Sequence, residues 1–361
     1  MRNLCLAASL FIAGCVTTPD PPEQQLIHYG DNTHASIGMA AEVDEYGFDG
    51  NAGEVVTLVM VVDSGTMWSR IDLLDPSGTK ITDARHPTRA RIDTVRLTET
   101  GRYAVLAMDG FDSTRTGRYG LSVQRTADPG SAIPITYGSG VQSSIDSTAQ
   151  IAAYTFEGNA GDIVTMLMAV DSGTLWCGIE IYDPSGTRIA EAIDPSDARV
   201  DGVGLATTGR HAILVTDGFD GKMTGRYGLS LQRTADPGNA TSIAYGAKVG
   251  LLIDSTAQID AYTFDGNADD VVTIIVAADS GNLWPRVELY NTAGTRIAGV
   301  TDPTNARIDT VRLASTGRHA ILAMDGFNGI LQGRCSLSLS RAKSGKPEAG
   351  VPASSGLLSL R

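Results

Sequence analysis

The chain has 361 residues, 42% of them hydrophobic and 19% charged, and its 41 acidic against 28 basic side chains leave a formal net charge of −13. That balance is ordinary for a folded, soluble body, and negative charge spread along the chain repels phosphate, so nucleic acid is excluded as a partner. The length allows two or three domains, and a total of 4 cysteines gives no disulfide framework.

At the N-terminus, Met1-Arg2-Asn3 is a short basic start, and residues 4–13 form an apolar run too short to cross a bilayer. The run ends in Ile12-Ala13-Gly14-Cys15, which resembles a bacterial lipobox: a branched apolar residue and two small ones before the cysteine to be acylated. An ordinary secretory signal containing a cysteine is the alternative. The resemblance implies a lipoprotein signal peptide over 1–14, lipidation of Cys15 and a membrane anchor made of acyl chains. Val16 rather than Asp follows the cysteine, which implies the outer membrane of a two-membrane cell envelope. Residues 15–28 are polar and proline-rich, as expected of a flexible tether. No later stretch reaches 18 apolar residues.

Beyond the tether the sequence repeats. An Asp-Ser-Gly turn followed by a tryptophan occurs three times, with Trp68, Trp176 and Trp284 spaced 108 residues apart. A unit of that size buries its own core, so the repeats are domains rather than solenoid turns.

In the middle unit, residues 150–156 predict a strand stopped by Glu157-Gly158-Asn159-Ala160-Gly161. Residues 163–170 are almost continuously apolar, as in a central strand covered on both faces. After the tryptophan, residues 179–181 alternate, Asp183-Pro184-Ser185-Gly186 has type I turn chemistry, and 187–193 returns antiparallel. The apolar alternation then slips by one, from Ala198 and Val200 to Val203 and Leu205. The same slip occurs at Ala90, Ile92, Val95 and Leu97, and at Ala306, Ile308, Val311 and Leu313; it predicts a β-bulge. Residues 209–216 and 225–233 complete the unit, and no stretch holds a helical period. The expectation is an all-β chain of three tandem antiparallel β-sandwich domains, jelly-roll-like, over 29–130, 137–238 and 245–341. Short Asp-Pro-Gly linkers bring neighbouring domains into contact as a semi-rigid rod, and 342–361, rich in Gly, Pro, Ser and Lys, reads as a disordered tail.

Laid out this way, the repeat resembles the bacterial pre-peptidase C-terminal domain over some 80 residues of each unit. The resemblance is carried by YTFEGNAG at 154–161, the apolar strand 163–170, IYDPSGTRIA at 181–190, TGRHAILV at 208–215 and TGRYGLSL at 224–231. It implies a β-sandwich module of the kind attached to secreted enzymes for targeting or substrate attachment, with calcium and collagen binding among collagenase relatives. No peptidase accompanies the repeats here, and the paired acidic run after the hairpin is replaced by Asp83, Glu191 and Gly299.

Repeated loop aspartates and tryptophans are the candidates for ligand chemistry. Asp63, Asp171 and Asp279, with Asp109, Asp217 and Asp325, are loop aspartates that suit calcium, which takes six to eight oxygens, or that simply cap turns. A third series, Asp93, Asp201 and Asp309, lies in a strand, where Arg91 shares the face of Asp93 and ion pairing is expected. Trp68, Trp176 and Trp284 are either stacking platforms for sugars or rim residues closing the core. The histidines are His28, His34, His86, His211 and His319; none stands in a catalytic motif, and His211 and His319 align with Tyr103 as packing aromatics. The reading is a membrane-anchored module for protein or polysaccharide, or a structural rod that positions a separately encoded enzyme, without catalysis of its own.

Overall fold

The computed structural model describes residues 24–342. The expected signal peptide, Cys15, most of the expected tether and the expected tail beyond 342 lie outside the described residues. Within them the chain is all-β, built from three β-sandwich domains in series.

The first domain has nine strands: β1 (Gln25–Leu26), β2 (Asn32–Ile37), β3 (Val43–Gly50), β4 (Val55–Gly65), β5 (Ser69–Leu74), β6 (Lys80–His86), β7 (Arg89–Arg96), β8 (Gly101–Asp109) and β9 (Gly117–Arg125). They form a five-stranded sheet, β1-β3-β8-β5-β6, and a four-stranded sheet, β2-β9-β4-β7. All pairings are antiparallel except β1 with β3. The same two sheets recur in the other domains. The domain starts read from the sequence, 29, 137 and 245, omit this first strand, whose counterparts are Ile133–Pro134 and Thr241–Ser242. A two-residue strand has too few positions to show a period.

Alternation decides what faces inward. Val56, Leu58, Met60 and Val62 of β4 enter the first core beside Tyr46, Phe48, Ile71, Tyr103 and Tyr119. Tyr46 and Tyr119 share a buried hydrogen bond of 2.7 Å between their hydroxyls, as do Tyr154 and Tyr227 in the second domain. In the third, Cys335 stands at the position of Tyr119 and Tyr227; Cys177 and Cys335 are both buried free thiols. The bulge lies where the alternation slips: the β4–β7 register shifts between Val56 and Leu58, and Thr94 takes φ 50°. Gly202 and Thr310 repeat that left-handed conformation.

The second cover of the central strand comes from the following domain. Val59 and Val61, on the outer face of β4, pack with Ala149, Ile151, Ala153, Tyr182, Ala212 and Leu214 of the second domain. Leu167 and Ala169 repeat this against Ile259, Ala261, Tyr290, Ala320, Leu322 and Met324 of the third. The four-stranded sheets of the first two domains thus stack on the five-stranded sheet of the next, and the equivalent Ile275 and Ala277, which no other described domain covers, are only half-buried.

Ion pairs fix both seams. Arg91 pairs with Asp93 at 3.0 Å and crosses to Glu180 at 2.7 Å, while Arg188 returns from the second domain to Asp93 at 3.2 Å. In the second seam Arg199 meets Glu288 and Asp201, and Arg296 reaches Asp201. Thr126 donates to the carbonyl of Gly186 at 2.8 Å, and Thr234 to that of Gly294 at 2.7 Å.

Candidate functional site

Each domain carries one exposed aromatic pair. β4 ends in a second bulge, with the register shifting between Val62 and Ser64. Gly65, at φ 100°, lets the chain leave against Gly117, where a Cβ would lie 2.5 Å from the Gly117 Cα. This turn sets Met67 into the core and Trp68 at the rim. Trp68 then packs on Phe111 at 4.9 Å between ring centroids, tilted by 52°. Trp176 packs on Phe219 at 4.6 Å and Trp284 on Phe327 at 4.8 Å. The phenylalanines are 48%, 54% and 57% exposed in turn, and Trp284 is 38% exposed. The tryptophans are therefore partly open rim residues, each widened by a neighbouring ring into a two-ring surface.

A buried aspartate holds each pair. Asp109 accepts from the amides of Trp68 at 2.9 Å, Phe111 at 3.1 Å, Arg115 at 3.3 Å and Asp112 at 3.4 Å. The Gly110 amide returns a bond to the Trp68 carbonyl at 2.8 Å. Burial alone would raise the Asp109 carboxyl, but these amides outweigh it and hold it below the ordinary carboxylate range. Asp217 gathers the amides of Trp176, Phe219, Gly221 and Met223, and Asp325 those of Trp284, Phe327, Asn328 and Leu331. One carboxylate thus ties two segments some 40 residues apart and presents both rings on a rigid loop.

The other loop aspartates stand elsewhere. Asp63 accepts from Thr148 Oγ1 of the second domain at 3.2 Å, and Asp279 from Ser336 Oγ at 3.3 Å. Asp171 faces Arg226 at 3.9 Å. Among the described residues no group of three or more His, Cys, Asp or Glu is placed to hold a metal ion. The strand aspartates pair with arginine: Asp93 with Arg91, and Asp309 with Arg307 at 2.6 Å.

The histidines are structural in their contacts. His211 and His319 are buried and stack on Phe156 and Phe264, as Tyr103 stacks on Phe48. His28 meets Asp31, His34 meets Asn32, and His86 accepts from the Thr88 and Arg89 amides. A cavity of 270 Å³ opens at the second seam, where its charged lining residues Asp201 and Arg296 already pair with each other.

The flanks of the aromatic pairs differ. Arg115 lies over the Phe111 ring at 3.7 Å, where the later domains have Met223 and Leu331. Arg85, against Gly110, is replaced by Ile193, 57% exposed, and by Thr301. The phenylalanines escaped the sequence reading, although Asp-Gly-Phe recurs at 109–111, 217–219 and 325–327. An aromatic directly after a turn glycine, in every unit, was the available signal.

No family profile and no curated protein sequence matches the chain. Among solved structures it is similar to the pre-peptidase C-terminal domain of a collagenase from Bacillus anthracis, at 18% identity over 29% of this chain and 98% of that one, with a TM-score of 0.25. It is also similar to the tandem CBM51 modules of a family 98 glycoside hydrolase from Streptococcus pneumoniae, at 10% identity over 56% and 84% of the two chains and a TM-score of 0.19. A third similarity is to the M60 catalytic domain with two CBM51 domains from Clostridium perfringens, at 10% identity over 87% of this chain and 34% of that one, TM-score 0.21. None of these likenesses transfers a role to a residue here.

Proposed function

We propose that this chain is a non-catalytic binding module, held at the bacterial cell envelope through lipidated Cys15, that grips a polysaccharide with its Trp–Phe pairs. The observation that supports it is the constancy of the exposed pair on its aspartate-anchored loop while the flanking residues change from domain to domain. A phenylalanine half open to solvent adds little burial to the fold. A flat two-ring surface instead suits the apolar face of a sugar ring or of a peptide side chain. The seams hold the three pairs at fixed separations, so a polymer with a regular repeat engages several at once, and weak contacts add through avidity.

The test is retention of the soluble chain, from Val16 onward, on insoluble cell-wall polysaccharide, chitin, cellulose and collagen. The triple variant Phe111→Ala/Phe219→Ala/Phe327→Ala is run beside it. Retention on one polysaccharide, lost in the variant at an unchanged melting temperature, supports the reading. Retention on collagen alone moves the ligand class to protein, and equal retention by the variant sinks the aromatic site. The rival reading, a structural spacer, draws support from the seams themselves; it expects no retention on any surface.

A further inference from the structure

The two seams are one joint used twice, and its two halves recur on the outer faces of the first and third domains, where no other described domain packs on them. The outer face of β4, β7 and β9 has its last counterpart in the third domain, with Ile275, Ala277, Arg307 and Asp309 standing where Val59, Val61, Arg91 and Asp93 stand in the first. The receiving face has its first counterpart in Ala104, Leu106 and Asp72 of the first domain, where the second has Ala212, Leu214 and Glu180. This is a head-to-tail joint, so a second copy docking there would repeat it and leave the same two faces available for further copies.

The joint depends on two close approaches of backbone. On the donating side, a Cβ on Gly120 would lie 2.5 Å from the carbonyl oxygen of Thr148, and Gly228 meets Thr256 in the same way. On the receiving side, a Cβ on Gly221 would lie 2.6 Å from Val61, and one on Gly329 2.6 Å from Ala169. On the outer faces of the described domains both glycines are serine: Ser336 on the donating face of the third domain and Ser113 on the receiving face of the first.

Ser336 also takes over a polar contact. Its hydroxyl donates to Asp279 at 3.3 Å, the place in the first seam of the bond from the incoming Thr148 to Asp63. Ser113 sits at φ 62°, a left-handed conformation that glycine adopts at no cost. The receiving sheet also carries exposed Glu45, where the later domains have Ala153 and Ala261 packed in the seam. The Thr126 and Thr234 donors are replaced by Ala342.

We infer that Ser113, Glu45 and Ser336 block the receiving face of the first domain and the donating face of the third, and keep a second copy of the chain from docking on either. Terminal repeats of stacked proteins need outer faces unlike their inner ones, and here a few side chains make the difference.

The test uses two complementary variants of the soluble chain in sedimentation equilibrium. Glu45→Ala/Ser113→Gly opens the receiving end; Ser336→Gly/Ala342→Thr opens the donating end. Wild type and each variant alone stay monomeric, because each retains a blocked end, whereas the mixture forms a species of twice the monomer mass. A mixture that remains monomeric, or a wild type that associates end to end, overturns the inference. The reciprocal variant Gly228→Ser installs a stop inside the molecule and keeps the question open to measurement if the first variants fold poorly. Limited proteolysis should then cut between the second and third domains at least tenfold faster than in wild type, with each domain left resistant. Unchanged cleavage counts against the stops. Neither experiment depends on what the aromatic pairs bind.

Discussion

Arg199 and Glu288 meet across the second seam at 2.5 Å, with the Glu288 side chain fully buried. Arg286 and Arg296 bind the same carboxylate from its own domain at 2.6 and 2.8 Å, and Tyr290 donates to it at 2.6 Å. Burial by itself would raise this carboxyl; the arginines and the tyrosine reverse that and bring it down to about 2.

A carboxyl lowered in the folded state stabilises the fold above its unfolded pKa, and the benefit is lost as pH falls through the folded one. For Glu288 the window runs from about 4.5 down to about 2. The contribution at neutral pH is on the order of 3 kcal/mol. Glu288→Gln should therefore lower the melting temperature at pH 7, because it takes the carboxylate from Arg286 and leaves Arg199, the most buried of the three arginines, to share Asp201 with Arg296. The difference from wild type should shrink toward pH 2. Superimposable melts at pH 7 would show that the seam does not rest on this cluster.

The aromatic loops predict a contrast between two substitutions in one domain. Phe219→Ala removes an exposed ring and should change stability by no more than about 1 kcal/mol, while weakening retention on the ligand surface. Asp217→Ala strands the four amides that its carboxylate gathers. It should cost about 2–4 kcal/mol and release the loop, so binding and stability fall together. Chemical denaturation of the two variants separates a ligand-contacting residue from a loop-holding one. Equal destabilisation by both would place Phe219 in the fold rather than in the site.

Much of this was legible in the sequence, because the repeat supplies three readings of each position. The bulge could be seen in the slip between Ile92 and Val95, and the Arg91–Asp93 pair in the two-residue spacing along one strand face. The double cover of residues 163–170 was legible too, but not what supplies it. Leu167 and Ala169 are covered by residues some 90 to 155 positions further on, and no local period encodes so distant a partner. The Trp–Phe pairs lay hidden for a related reason. Trp68 and Phe111 come together only because Asp109 ties their two segments, and a capping aspartate looks the same in sequence whether it closes one turn or joins two.

Calcium offers a third prediction. Both oxygens of Asp109 already accept amide N–H groups, and the positive ends of those dipoles repel a cation from the same lone pairs. Asp63 is engaged by Thr148 across the first seam. Thermal melts of the soluble chain in millimolar calcium and in EDTA should therefore coincide. A ligand held only by the folded state at a hundredfold its dissociation constant adds about 2.7 kcal/mol, a shift that a melt resolves readily. Any such rise would return the loop aspartates to the role of metal ligands.

The first aromatic site should differ from the other two in the charge of what it prefers. Among the described residues neither Arg85 nor Arg115 forms an ion pair with a carboxylate, and both flank Phe111, with Arg115 lying on the ring itself. A saccharide bearing carboxylate or sulfate meets two guanidinium groups there, whereas the second site offers Met223 and Ile193. These charges are near the surface and salt screens them over about 8 Å at physiological ionic strength. Binding of an acidic polysaccharide should thus weaken severalfold between low and high salt, and Arg115→Met should remove much of that dependence. The same substitution uncovers the Phe111 ring, so retention on a neutral polysaccharide should hold or rise. If Arg115→Met instead weakens neutral and acidic ligands alike, the arginine acts by bracing the loop through its bond to the Thr66 carbonyl at 3.3 Å, and the three sites share one preference.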